Sequence, residues 1–440
     1  MISRRLDGLY LFVLGSVAFI LLGIAMENAA TGPLADFRAL YYPARTLLQH
    51  SDPYMQSEVL RIYQAEGGAS PSETAKNRQI ATQNPYPPTT FSFIVPLAML
   101  GWGPAHILWI ALTIGGLIIA SFLIWNLGAD YAPIVSGVLI GFFLANSEVL
   151  VITGNAAGIV VSLCVAAVWC FVRNRFVPAG ILCLAVSLAI KPHDTGLVWL
   201  FFLLAGGIYR KHALQTLLVA VALSLPGVLW VWHVSPNWIQ EAHSNLLAYS
   251  VHGGINDPGV ASNGSHGLAM VVSLQAVICF FWDDPRIYNS VSYLLCAPLL
   301  LIWVFVTLRS RTSLARLWLA VASIAALSLL PIYHRQYDAK LLLLTVPACA
   351  MLWSERGIIG RAALLINTVA FVLTADIPWV VFFALIKALH LPTTGFSGRV
   401  LMAAQVLPVP LIILVVCVFY LWVYARRSSA HTAPSTLDND

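Results

Sequence analysis

Charged side chains are scarce in this sequence. Asp, Glu, Lys and Arg together make up 10% of the 440 residues, and hydrophobic residues make up 59%. A soluble domain carries about 25% charged residues, so the composition excludes an ordinary soluble protein and predicts a chain that crosses a membrane many times. The net charge of +5 comes from short basic segments between apolar runs. We find no basic stripe with interleaved aromatic residues, as nucleic-acid binding would require.

Several site-forming patterns are also missing. The seven cysteines lie in apolar runs and form no CxxC pair, so we expect buried thiols and neither disulfides nor a zinc site. The sequence has no glycine-rich phosphate loop. The segments between the apolar runs contain no DxD-type motif of the kind that binds nucleotide sugars. We therefore expect no metal and no cofactor.

The apolar runs predict an all-α polytopic membrane protein with about twelve transmembrane helices. They form one domain over residues 1–425, and a disordered cytoplasmic tail is expected over 426–440. The first run, from Leu9 to Met26, is long and lacks a small-residue cleavage site, so we predict a retained signal-anchor helix. Several runs are shorter than the roughly 20 residues that a spanning helix needs, which favours broken helices. Residues 89–126 fit either one or three crossings.

Basic clusters predict the orientation of the chain. Short segments rich in Lys and Arg face the cytoplasm, so we expect both termini there, in the plasma (inner) membrane. The opposite, extracytoplasmic face then receives two large loops, 27–88 and 233–289. Helical spacing of apolar residues in the first loop predicts interfacial helices. The basic segments are Arg4 and Arg5, 173–175, 209–212, 309–316, 355–361 and 425–427.

Asp36 is the first candidate for chemistry. It directly follows the first apolar run, in "DFRALYYPA", and an ionisable residue beside the bilayer is costly to place there without a function. The alternative is a helix N-cap, with a helix that starts at Phe37.

Two polar turns on the same predicted face contain cations. In "KPHDTG", Lys191 and His193 end an apolar helix, and Lys191 is placed to meet a phosphate; alternatively it snorkels and pairs with Asp194. In "YHRQYD", His334 and Arg335 lie between apolar runs. Positive charge on the outer face runs against the usual bias, so we expect a bound anion; the alternative is a solvated turn.

Four weaker candidates complete the set. Asn155 in "TGNAAG", and Asn263 and Ser265 in "SNGSHG", lie in glycine-rich turns that turn chemistry alone also explains. Tyr86 in "NPYPP" either lines a groove or sits at the membrane interface.

The order of these motifs resembles that of the GT-C glycosyltransferases. More closely, the chain is similar to family 87, which contains polyprenyl-phosphate-mannose-dependent mannosyltransferases. The motifs that carry the resemblance are "DFRALYYPARTLLQHSDPY", "NPYPP", the "GN" and "KP" turns and "YHRQYD". The "GN" turn replaces the family's "GQ", and Phe37 stands where related GT-C families have the second acid of a "DE" pair.

The resemblance implies a GT-C-like bundle with its active site on the extracytoplasmic face. It implies transfer of a sugar, most simply mannose, from a polyprenyl-phosphate donor to a glycolipid or glycan acceptor among membrane lipids, with no nucleic acid involved. Asp36 matches the family's general base. One base suffices for an inverting transfer, and cations from Lys191, Arg335 and His334 would hold the leaving phosphate. A transporter or flippase, and a ligase of lipid-linked saccharides, are the alternatives.

Overall fold

The structure is a computed structural model that describes residues 2–30, 33–67, 75–259, 270–310, 313–392 and 394–429. These residues form helices and turns, and no strand occurs among them beyond one isolated bridge between Val271 and Arg335. The all-α prediction is confirmed. Asn263 and Ser265 lie outside the described residues.

In the part of the chain that the structure describes, the first half forms twelve helices, of which three lie in the first large loop. Its helices are α1 (Ile2–Ala29), α2 (Ala35–Leu48), α3 (Gln56–Ala65), α4 (Ala75–Thr82), α5 (Phe91–Ala98), α6 (Trp102–Gly128), α7 (Pro133–Leu144), α8 (Val149–Thr153), α9 (Ala157–Arg173), α10 (Val177–Ile190), α11 (Pro192–Ala205) and α12 (Gly207–Val234), with a 3₁₀ turn at Pro88–Thr90.

The second half completes the bundle. Its helices are α13 (Trp238–Ser250), α14 (Leu274–Phe281), α15 (Pro285–Arg309), α16 (Leu314–Ser328), α17 (Val346–Ser354), α18 (Ile358–Leu373), α19 (Asp376–Ala388), α20 (Gly395–Val406) and α21 (Pro408–Ser429), with a 3₁₀ helix at Asp338–Thr345. Helix α21 continues to Ser429, so the first four residues of the predicted disordered tail are helical. Residues 430–440 lie outside the described part.

Within the described ranges, six helical segments are long and apolar enough to cross a membrane, or seven if the bent pair α18–α19 is one span. The prediction of about twelve crossings is therefore not confirmed. The prediction assigned one crossing to each apolar run. In the structure, several of these runs are interrupted by turns or form 3₁₀ helix. The six segments are Arg4–Ala29, Trp102–Gly128, Pro133–Thr153, Gly207–Val234, Pro285–Arg309 and Gly395–Arg427.

Helices α1 and α7 pack backbone to backbone. A Cβ added to Gly137 would lie 2.5 Å from the carbonyl oxygen of Gly8, and one added to Gly141 would lie 2.6 Å from that of Leu11. Small residues four positions apart allow such close approach between membrane helices, as in the GxxxG pattern. The pair is therefore held in one register along its length.

The centre of the bundle is formed by α16, the second 3₁₀ helix and α17. Almost every residue of these segments is buried, including all eight residues of Asp338–Thr345. A helix that is apolar on all sides belongs in the interior. Asp338 and Lys340 are thus charged residues in the most buried part of the protein.

Candidate active site

A cavity of about 450 Å³ lies where α2, α9 and α11 begin and where the turn after α16 reaches the same end of the bundle. We call it the Asp36 cavity. Ala30, just past the end of α1, and Thr153, at the end of α8, also line it. Six of the predicted site residues line this one cavity, namely Asp36, Tyr86, Asn155, Lys191, His193 and Arg335.

Asp36 is the second residue of α2 and is partly buried. The helix begins one residue before Asp36, the cap position is Leu34, and no side chain caps the helix. The N-cap interpretation of Asp36 was therefore wrong. Its carboxylate points instead to Asn155, whose Nδ2 donates a 2.8 Å hydrogen bond to Oδ2.

The glycine of the "TGN" turn brings α2 and α9 together. Gly154 has a φ of 64°, and a Cβ there would lie 2.9 Å from side-chain atoms of Leu34 and Phe37. Trp109 donates from Nε1 to the Gly154 carbonyl oxygen at 2.8 Å and stacks on Phe37 at 4.4 Å between ring centroids. Only glycine combines this conformation with so close an approach. The turn therefore fixes the distance between Asn155 and Asp36.

The amide of Asn155 is held on both sides. Its Oδ1 accepts from the backbone N–H of Ala157 at 2.9 Å and from Lys191 Nζ at 3.5 Å. Because two donors face the oxygen, the NH₂ group must face Asp36. Asn155 thus acts as a fixed donor to the carboxylate.

Lys191 lies at the one-residue junction between α10 and α11. A residue before proline is pushed into an extended conformation, and Lys191, with φ −140° and ψ 80°, precedes Pro192 at the first position of α11. Its Nζ lies 2.5 Å from Asp338 Oδ1 and 3.1 Å from Asp194 Oδ2. With Asn155, three acceptors surround an ammonium that has three protons. The predicted pairing with Asp194 is present, but Lys191 is buried and does not snorkel.

For both Asp36 and Lys191, burial shifts the pKa in one direction and neighbouring charges shift it in the other. Burial raises the pKa of Asp36 above its usual value, while the Asn155 hydrogen bond and the charges of Arg335 and Lys191 partly oppose that rise. Burial lowers the pKa of Lys191, but the carboxylates of Asp194 and Asp338 more than offset this, so its pKa is raised and the ammonium stays charged.

Arg335 is the second cation of the cavity. Residues 334 and 336 exchange backbone hydrogen bonds of 2.9 Å with residues 272 and 270, and this pairing places Arg335 beside Val271. Its guanidinium donates to the hydroxyl of Tyr333 and to the carbonyl oxygen of Ile255. Arg335 is only 6% exposed, so the alternative of an ordinary solvated turn was wrong, and the bound anion stays a prediction.

His334 lies behind the cavity wall and is fully buried. Its Nε2 and that of His193 each lie 3.4 Å from Asp194 Oδ1, and these three residues could hold a metal ion. Asp194 already receives the charge of Lys191 at 3.1 Å, so the group does not need a metal for charge balance. The expected absence of a metal stays a prediction.

The prediction omitted Asp194 and Asp338 from the site. Both lie in the quoted turns, three residues after a cation, and a carboxylate that follows a cation at this spacing was the available signal. The pairing of Asp338 with Lys191 could not be read from the sequence, because the two residues are 147 positions apart.

Comparison with protein families gave one match. Residues 84–330, just over half of the chain, match the model of glycosyltransferase family 87. The match includes Tyr86, Asn155, Lys191 and His193. Asp36, His334 and Arg335 lie outside it, so only the fold brings them to the matched residues. No curated protein and no solved structure matches the chain.

Proposed function

Because this chain belongs to glycosyltransferase family 87, we propose that it transfers a sugar from a polyprenyl-phosphate carrier to a hydroxyl group of a glycolipid or glycan. The family membership makes the chain a glycosyltransferase with donor and acceptor substrates, and its apolar helices make it an integral membrane protein. Mannose is the sugar we expect. The cavity is proposed to open on the extracytoplasmic face of the plasma membrane.

The observation that carries this proposal is the position of Asp36 in the cavity. A general base must reach the acceptor hydroxyl, and its pKa must lie within range of the working pH. Asp36 lines the cavity, is oriented by Asn155 and has a pKa raised by burial. These properties support its assignment as the base that removes the acceptor proton.

Arg335 is the cation best placed for the leaving phosphate. Lys191 is already surrounded by Asp338, Asp194 and Asn155, so we assign it to the orientation of Asn155 and not to the phosphate. Arg335 has charge-assisted donors in a planar fork that suits phosphate oxygens, and its charge lies close enough to influence Asp36. The phosphate would leave as an anion held by Arg335, with no proton needed.

The carboxylates favour an inverting reaction. A retaining transfer needs a second carboxylate free to attack the sugar. The carboxylates of Asp194 and Asp338, which also belong to the site, both form ion pairs with Lys191. One step with Asp36 as the base therefore fits the arrangement best.

The size and lining of the cavity fit such substrates. A volume of about 450 Å³ lies within the range of roughly 300–1,000 Å³ found for small-molecule sites. Apolar residues, among them Ile80, Leu246 and Ile255, line the same cavity. The cavity thus offers room for a sugar with its phosphate and an apolar wall for the first part of a lipid chain.

The test is a transfer assay with the full chain in nanodiscs. The donor is synthetic polyprenyl-phosphate-mannose, and a membrane glycolipid extract supplies the acceptor. We expect Asp36→Asn to lower the transfer rate by about 10²–10⁴-fold, as for loss of a general base. Glu58→Gln is the matched control, because Glu58 lies in the same loop and makes only a surface pair with Arg61.

Full activity in a folded Asp36→Asn protein would show that Asp36 is not the base. If the wild type fails with mannose but transfers another polyprenyl-linked sugar, the sugar assignment is wrong and the proposed reaction class stands.

A further inference from the structure

A second cavity, of about 460 Å³, lies at the other end of the same helices. Arg4 near the start of α1 and Pro133 at the start of α7 line it. Ala30, just past the end of α1, and Thr153, at the end of α8, line the Asp36 cavity instead. At 1.5 Å per residue, the 26 residues from Arg4 to Ala30 span about 39 Å. The two cavities are thus separated by about the thickness of a bilayer.

Three arginines line this second cavity, which we call the arginine cavity. Arg4, Arg356 and Arg361 are exposed to it, and none of them has an ion pair with any residue that the structure describes. Two carboxylates next to the cavity wall pair with other cations. Asp130 pairs with Arg5 at 2.7 Å and with Arg173 at 2.6 Å, and Glu355 pairs with Arg427 at 2.5 Å.

Two helix N-termini open on the same space. Helix α7 starts at Pro133 and α18 starts at Ile358, directly after Gly357 in the cavity wall, and no side chain caps either helix. The first N–H groups of a helix have no partner within it and carry a partial positive charge. These donors add to the three guanidinium groups, so the cavity has the chemistry of a phosphate site.

Arg356 is held at an energetic cost. Helix α17 ends at Ser354, and Arg356 follows in the left-handed conformation with a φ of 54°. Glycine is the usual residue after a helix end in this conformation, and other residues are strained there. Arginine at this position lowers the stability of the folded protein and places a guanidinium group in the cavity wall.

Apolar surface continues from the cavity along both helices. Ile134 and Val138 on α7 are 39% and 50% exposed, and Ile358 and Leu365 on α18 are 86% and 64% exposed. Each pair lies on one side of its helix, because the residues are four or seven positions apart. A ligand with its phosphate among the arginines would have acyl chains against these side chains.

We propose that the arginine cavity binds the phosphate group of an anionic membrane lipid, separately from the catalytic cavity. The ligand is identified by its chemistry: a phosphate for the arginines and helix N-termini, and apolar chains for the exposed faces of α7 and α18. A soluble phosphate has the same polar group without the chains, and the experiment distinguishes the two.

The test compares two variants of equal charge. Arg4→Gln/Arg356→Gln/Arg361→Gln removes the cavity cations, and Arg175→Gln/Arg210→Gln/Lys211→Gln removes three exposed cations from the same end outside the cavity. Native mass spectrometry of the purified full chain measures retained dioleoyl phosphatidylglycerol against dioleoyl phosphatidylcholine. We expect the wild type and the control to prefer phosphatidylglycerol and the cavity variant to lose that preference by roughly tenfold.

A titration with sodium phosphate, at constant ionic strength, is the second arm. If phosphate raises the unfolding temperature of the wild type but not of the cavity variant, and phosphatidylglycerol is not preferred, the site takes a soluble phosphate. Equal loss of phosphatidylglycerol in both variants would mean that net charge alone attracts the lipid, and the proposal is then wrong. It is also wrong if neither probe binds.

Arg356→Gly separates binding from folding. Glycine relieves the left-handed strain, so we expect this variant to unfold at a higher temperature without lipid and yet to retain less phosphatidylglycerol. A variant that is destabilised and retains the lipid fully would contradict the assignment of Arg356 to the site.

Discussion

Lys191 and Lys340 are both buried, and their surroundings differ in kind. Lys191 lines the Asp36 cavity, and among the described residues its ammonium contacts the side chains of Asp338, Asp194 and Asn155 and lies over the ring of Tyr337. Lys340 lines none of the cavities described above. Its Nζ donates to the carbonyl oxygens of residues 146 and 374 at 2.6 and 3.3 Å, and it lies 3.4 Å from Asp376 Oδ1.

The contacts of Lys340 lie at helix breaks. Residue 146 follows the end of α7 and residue 374 follows the end of α18, where carbonyl groups have no partner within the helix. Asp376 accepts from the backbone N–H of Val149, at the start of α8, at 2.7 Å. Lys340 and Asp376 therefore join two interrupted helices. A buried charge that contacts backbone at helix ends has a structural role, whereas one that orients a side chain in a cavity serves the site.

Charge-neutral double variants test this difference most strongly. Lys191→Met/Asp338→Asn and Lys340→Met/Asp376→Asn each remove one buried pair without changing the net charge, which is tolerated better than a single removal. The first also takes the Lys191 contact away from Asp194, so its transfer rate is counted only for the folded fraction. We expect the first to lower sugar transfer by about 10²-fold, because Asn155 and Asp36 lose their fixed geometry. The second should keep transfer within about threefold of wild type. Transfer rates per folded protein, measured in nanodiscs, check both.

Equal losses of transfer in the two double variants would remove the distinction. In that case the 3₁₀ helix that contains Asp338 and Lys340 would act as one unit for folding and for catalysis.

A single removal at the structural pair should mainly affect stability. Lys340→Met leaves Asp376 buried without its cation, and such a loss costs about 3–5 kcal/mol. We expect a clear drop in the unfolding temperature in detergent, with part of it recovered when Asp376→Asn is added. Lys211→Met, at an exposed position, is the control and should unfold like the wild type. A Lys340→Met protein as stable as that control would show that the pair contributes nothing.

The smallest expected effect is on the pH profile of transfer. Asp36 acts as a base only when ionised, so activity falls as the pH drops through its raised pKa. The hydrogen bond from Asn155 lowers that pKa, so Asn155→Ala should raise it further and move the acid limb to higher pH. Asn126→Ala is the control. Asn126 contacts Trp169 and Arg173 at the other end of the bundle, so its loss should leave the acid limb in place. An unmoved limb in Asn155→Ala would show that another group controls it.

The sequence predicted which turns meet at the site and did not predict how they pair. The polar turns containing Asn155, Lys191 and Arg335 were placed on one face by the positive-inside rule, and the cavity brings them together. The role of Lys191 could not be predicted, because its partner Asp338 is far away in the chain. Sequence also could not show that the apolar run after Asp338 begins as a 3₁₀ helix, since residue periodicity is too weak a signal in a segment that is buried on all sides.

The packing of α1 against α7 fixes the position of the one helix relative to the other. Their glycine contacts prevent one helix from sliding along the other, so the distance from the arginine cavity to Asp36 cannot adapt to its surroundings. A thicker bilayer would draw Asp36 towards the hydrocarbon, and a thinner one would lift it into water. The thickness of the host membrane therefore sets the solvation of the proposed base, and through it the membranes in which this chain can work.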